Sequence, residues 1–150
     1  MFRMLLGMLA LCFVSLPAQS EVYTFKVRSL HPNGVQIKFY SQTRKGHQWP
    51  TSKTAWNLLD DEAHALSMTC NKGEKICWGA WVKGTGRPEW GAGVGGTDDC
   101  KGCCFTCKDL ETSGVLTLNV RVDGDRVIPT QKQDMAKQSR PPKAVKLDDN

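Results

Sequence analysis

Past the first sixteen residues the chain has no apolar run that approaches the roughly 20 residues needed to span a bilayer, so nothing beyond the start reads as membrane-embedded. It has no N-x-S/T sequon, and glycosylation is not indicated. No G-x-S-x-G occurs, and no nucleophile is flanked by a recognisable base, which removes the usual hydrolase signatures. The three histidines, His31, His47 and His64, are scattered among turn residues without metal-ligand spacing. Lys and Arg total 20 against 15 acids, a formal net charge of +5, but they are dispersed rather than clustered with stacking aromatics. That distribution argues against a nucleic-acid surface. A sustained helical period is missing as well. What remains is room for one compact domain in 150 residues, 40 % hydrophobic and so too apolar for a wholly disordered chain.

Residues 1–20 have the three-part layout of a secretory leader. Arg3 supplies the positive start, Met4 to Leu16 the apolar core, and Ala18 and Ser20 the small residues before a cut after Ser20. Leu11 before Cys12 is too large for lipoprotein processing, so Cys12 goes with the leader. The mature chain then carries 19 bases against 15 acids and an even six cysteines. It is expected to be secreted or periplasmic, with no integral membrane segment, in a compartment where disulfides persist.

The mature chain reads as short strands. Tyr23, Phe25 and Val27 alternate with polar residues, as do Val35, Ile37 and Phe39, on either side of Asn33-Gly34. Alternation flanking Asn-Gly is a hairpin signal, because both residues tolerate positive φ. Residues 41–52 read as a connection and Thr54 to Leu59 as a third strand, although residues 53–66 also scan at the helical period. His64 to Cys70 and Ile76 to Val82 follow, separated by Asn71-Lys72-Gly73-Glu74. Ile76 to Val82 is apolar on both faces, as in a strand that is central or roofed. Val115 to Val122 closes the pattern, with Val127-Ile128 as a short last strand. The expected fold is all-β, a small β-sandwich or partly open barrel over residues 21–128, with a disordered tail over 129–150.

The cysteines carry the strongest signal. Cys70, Cys77, Cys100, Cys103, Cys104 and Cys107 follow the pattern C-x6-C-x22-C-x2-C-C-x2-C. Three structural disulfides fit an exported chain. They would also staple residues 83–114, a Gly-rich stretch of the kind rarely left structureless in a compact domain. Cys70 and Cys77, at strand ends, are expected to tie the sheet to the cluster. Zinc held by Cys70, Cys77 and one CxxC pair is an alternative, as is redox chemistry at Cys100–Cys103 or Cys104–Cys107. A thioredoxin-type CxxC opens a helix in a strand–helix unit, and no such unit is visible here.

All five tryptophans fall between positions 49 and 90. Trp56 and Trp78 read as core. Trp81, beside Gly79, and Trp90, among Pro88 and Gly91-Ala92-Gly93, read as an aromatic platform, with Arg87 and Lys83 as polar neighbours for a sugar ring or a peptide. Gly91-x-Gly93-x-x-Gly96 matches a dinucleotide pattern in letters only, without the flanking strand, helix and acid, and no cofactor is expected. Asp98-Asp99 and Asp123-x-Asp125 lack the calcium-loop frame, and His64 beside Asp60, Asp61 and Glu62 reads as a wet turn.

The order F-Y-S-Q-x-R (39–44), W-P (49–50), G-E-K-I-C-W-G-A-W (73–81), W-G-A-G (90–93) and C-K-G-C-C-F-T-C (100–107) resembles small exported bacterial proteins of unassigned function. The resemblance implies a secreted, disulfide-rich β domain and transfers no activity. The expectation is therefore a binding or interaction module for a glycan or protein partner in the cell envelope or outside the cell. The alternatives are a periplasmic inhibitor or immunity-type protein, or a thiol-redox or zinc-binding protein.

Overall fold

The structure, a computed structural model, describes residues 20–108, 114–123 and 125–134; residues 1–19, 109–113, 124 and everything beyond 134 lie outside it. Ten strands occur in chain order: β1 Ser20–Ser29, β2 Val35–Ser41, β3 Gln48–Trp49, β4 Trp56–Leu58, β5 His64–Asn71, β6 Lys75–Val82, β7 Glu89–Gly91, β8 Cys104–Thr106, β9 Val115–Asp123 and β10 Arg126–Asp134. They form two sheets that do not close into a barrel. One runs β10-β9-β1-β5; the other runs β3-β2-β6-β7, with β4 also on β2 and β8 also on β6. Among the described residues there is no helix, so the helical scan of residues 53–66 yields to a short strand and a turn.

The sandwich is all-β as expected, but the Asn33-Gly34 turn does not close a hairpin. β1 pairs with β5 and, in parallel, with β9, whereas β2 pairs with β3, β4 and β6. The turn is a corner that passes the chain from one layer to the other. Gly34 supplies the positive φ of 45°, and its carbonyl accepts the Lys83 N–H. The Asn71-to-Glu74 turn is a second corner, between β5 and β6. Alternation shows which side chains face inward; it does not say whether two apolar faces lie side by side or opposed. Here they are opposed. Phe25 of β1 meets Phe39 of β2 edge-on across the core, ring centroids 5.0 Å apart.

Phe105 stacks on Tyr23 at 4.5 Å and on Phe25 at 5.6 Å, so the cysteine segment itself contributes a ring to the core. Trp78 is 1 % exposed, and Trp56 packs on Phe39 from the core's margin. β10 runs on to Asp134, through positions expected to belong to the tail. Pro129 is tolerated there because β10 is an edge strand, where a missing N–H breaks no ladder.

Candidate functional site

Residues 83–114 are not one irregular loop. They contain β7 and β8, which pair with successive stretches of the edge of β6 opposite β2, and the segment between them lies as a roof on β6's outer face. That contact explains the glycines. Gly79 and Gly91 are register partners, and a Cβ on Gly79 would come within 2.0 Å of the Gly93 carbonyl oxygen. A Cβ on Gly96 would strike the Tyr40 ring. The Tyr40 hydroxyl donates to the carbonyls of Val94 and Gly93. Burial and then the Glu89 carboxylate push that hydroxyl up to about 12, so it stays a donor. The Glu89 carboxylate in turn accepts the Val94 N–H at 2.9 Å. Backbone lies on backbone here, which bare glycine permits.

Where this roof ends, three segments distant in sequence converge on an open groove of about 590 Å³. The β1–β2 corner supplies His31 and Asn33, the β6–β7 turn Thr85, Arg87 and Pro88, and β10 supplies Val127 and Pro129. Glu89 and Asp98 also border it. Thr85 braces its turn, its hydroxyl donating to the Arg87 carbonyl at 2.8 Å. The Arg87 side chain is 85 % exposed and stands 3.8 Å from Glu89. The His31 Nδ1 accepts the Asn33 N–H, leaving Nε2 as the donor in the neutral ring. The apolar wall has a geometric origin. On β9 the inward stripe Leu116, Leu118, Val120, Val122 passes from full burial to 69 % exposure at Val122. The β9–β10 hairpin therefore outruns the sandwich, and Val127, paired with Val122, is 53 % exposed.

Of the residues singled out by sequence, Arg87 lies on this groove. Lys83 is exposed in the same turn but does not border it. Trp81 is half-buried on the outer face, next to Glu89 in register, with its indole N–H bonded to Gln36 at 3.0 Å. Trp90 is no platform. It is 3 % exposed and donates its indole N–H to the carbonyls of Asn119 and Thr130; its glycine neighbours bring it against the opposite sheet rather than baring it. His31, Glu89 and Asp98 were missed because nothing local marks residues that meet only through the corners of a sandwich. His64 does pair with Asp60 at 2.6 Å, and that hydrogen bond holds the Asp60 carboxyl below its usual range. Neither residue borders the groove.

The cysteines stand in three pairs at disulfide distance: Cys70 with Cys107, Cys77 with Cys104, and Cys100 with Cys103. Cys70 and Cys77 thus both reach into the cluster from their strand ends. Only one CxxC closes on itself, and Cys104 and Cys107 bond to different strands. The zinc set of Cys70, Cys77 and a CxxC pair is not gathered at one point. The sulfurs that do gather, within 4.8 Å of one another, are those of Cys77, Cys103 and Cys104.

A second groove of about 460 Å³ lies by Trp49 and Trp56, where the Arg44 guanidinium sits 5.3 Å over the Trp49 ring. Arg44 is committed to Glu74, with contacts of 2.7 and 2.8 Å. No helix among the described residues is long and apolar enough to cross a membrane. No protein-family model matches the chain, and neither curated proteins nor solved structures show significant similarity to it.

Proposed function

We infer that this is an exported recognition module, cut after Ser20, whose groove takes an extended stretch of a partner polypeptide in the cell envelope or outside the cell. The observation that carries this reading is the convergence of three braced segments on one groove that combines an exposed guanidinium, two carboxylates and an apolar wall. A peptide offers complementary groups in that mixture. Its carboxylate would meet Arg87, its cation Glu89 or Asp98, and an apolar side chain would lie on Val127 and Pro129. A sugar site wants an open aromatic face, and the groove has none because Trp90 is buried. Hydrogen-bonded walls lose little entropy on binding, which favours affinity. The resemblance to small exported bacterial proteins agrees with the location.

The test is selection of binders from a displayed peptide library by the mature protein, beside a glycan array. Arg87→Glu and Val127→Asp, both exposed and so benign for folding, should each abolish or strongly reduce peptide capture. Capture unaffected by both overturns the reading. Array binding lost on Trp81→Ala would replace the peptide with a glycan.

A further inference from the structure

Away from the groove, the cysteine cluster places two disulfides in contact. The Sγ atoms of Cys103 and Cys104 are 3.7 Å apart, although each is bonded to a different partner. Cys77, Cys103 and Cys104 form a triangle of sulfurs within 4.8 Å. The backbone keeps the triangle closed. Cys77 and Cys104 are directly opposed register partners, with Cα atoms 3.9 Å apart. The Trp78 N–H donates to the Cys103 carbonyl at 2.9 Å, which holds Cys103 beside the same strand. Access differs along this chain of sulfur. Cys100 is half-buried, Cys103 and Cys77 are buried, and Cys104 is exposed.

We propose that Cys100, Cys103, Cys77 and Cys104 form a thiol–disulfide exchange site that takes an external dithiol as its reductant and delivers a reactive thiol at Cys104. The dithiol gives two electrons to the Cys100–Cys103 bond, becomes a cyclic or protein disulfide, and leaves thiols on Cys100 and Cys103. Cys103 loses its proton to water, and its thiolate attacks the Cys77 sulfur. The Cys103–Cys77 bond forms and the Cys77–Cys104 bond breaks. The electron pair leaves on Cys104, which takes a proton from water. No further electrons are needed, and the count of disulfides is unchanged in this second step. Exchange of this kind needs a thiolate that can reach the sulfur attacked, and the fold holds the Cys77 sulfur within 4.8 Å of Cys103. Cys77 is the sulfur attacked because a bond between neighbours Cys103 and Cys104 would close a strained small ring. The Cys70–Cys107 pair takes no part and keeps β8 tethered to β5.

The chemistry is read by where free thiols end up. The oxidised mature protein is treated with one equivalent of dithiothreitol, quenched in acid to stop exchange, unfolded and alkylated, and its peptides are mapped. Label on Cys104 together with a Cys77–Cys103 linked peptide is the expected result. Label confined to Cys100 and Cys103, with Cys77–Cys104 intact, overturns the proposal. A second arm uses Cys100→Ser, which leaves one unpaired thiol without any reductant. Label on Cys104 above that of the Cys100→Ser/Cys103→Ser double variant supports exchange, and its absence overturns it. The wild-type measurement stands if these variants do not fold.

Discussion

Trp49 and Trp90 make the same contact at opposite edges of the sandwich. Trp49, on β3, donates its indole N–H to the Thr69 carbonyl of β5 at 3.0 Å. Trp90, on β7, donates to Asn119 of β9 at 2.9 Å and to Thr130 of β10 at 3.1 Å. Each indole crosses from one sheet to the other where the layers would otherwise gape. The sheets are thus latched along both margins by aromatic side chains whose polar end is satisfied and whose body fills the core.

Trp90→Phe keeps most of the ring and removes the donor shared by two carbonyls. It should lower unfolding free energy by about 1–3 kcal/mol, read from urea denaturation. Trp90→Ala, which also empties the space, should cost about 3–5 kcal/mol. The same pair of substitutions at Trp49 should rank in the same order.

Gly79 tests the roof on β6. Alanine there sets a Cβ 2.0 Å from the Gly93 carbonyl oxygen, and neither backbone has room to yield without lifting the roof. Gly79→Ala should destabilise by about 3 kcal/mol or more and raise the accessibility of Tyr40 to iodination. Gly84 has φ of +88° but open space around it, so Gly84→Ala should cost only the backbone strain, about 1–2 kcal/mol.

Glu74 sets the acid limit. It is 2 % exposed; burial alone would raise its carboxyl pKa, but Arg44, the Asn71 N–H and the Ser41 hydroxyl outweigh that and hold it below the ordinary 4.5. A depressed carboxyl stabilises the fold above its unfolded value and loses that contribution as the pH falls through the native one. Unfolding free energy should therefore decline from about pH 4.5 downward. Glu74→Gln should be less stable at pH 7 and show a shallower decline in the same titration, followed by circular dichroism.

The disulfides should contribute unequally. Cys70–Cys107 closes a separation of 37 residues and Cys100–Cys103 one of 3. In the chain-entropy account the first is worth about 4 kcal/mol and the second under about 2 kcal/mol. Replacing Cys70 and Cys107 by Ser should lower the Tm well below that of the Cys100→Ser/Cys103→Ser variant. Equal losses would mean that the short bridge supports the roof beyond its loop length.

Strands with an unbroken alternation were legible, as was the need for something to cover β6, whose two apolar faces announce it. β3, β7 and β8 were not, because two or three residues carry no period. The parallel pairing of β1 with β9 joins positions nearly ninety apart, from Val27 to Leu116, and no local signal reports it. Asn33-Gly34 signals a turn, which is there, and a hairpin, which is not, since a pair that tolerates positive φ serves a corner as well. Trp90 departs from its expected exposure for a related reason. Glycine and proline around it mark irregular backbone, and irregular backbone can fold inward as readily as outward. Arg87 stood out by its neighbours, whereas its groove partners His31, Glu89 and Asp98 are brought together only by tertiary structure.

β1 sits between β9 and β5 rather than at a margin. The first strand to emerge during synthesis therefore lacks one of its two flanking neighbours until the last ones are made. Long-range pairing of that kind is slow to nucleate, and for much of its synthesis the chain must travel as an open, unfinished thread. That sheet is therefore assembled late, and only once β9 has been made.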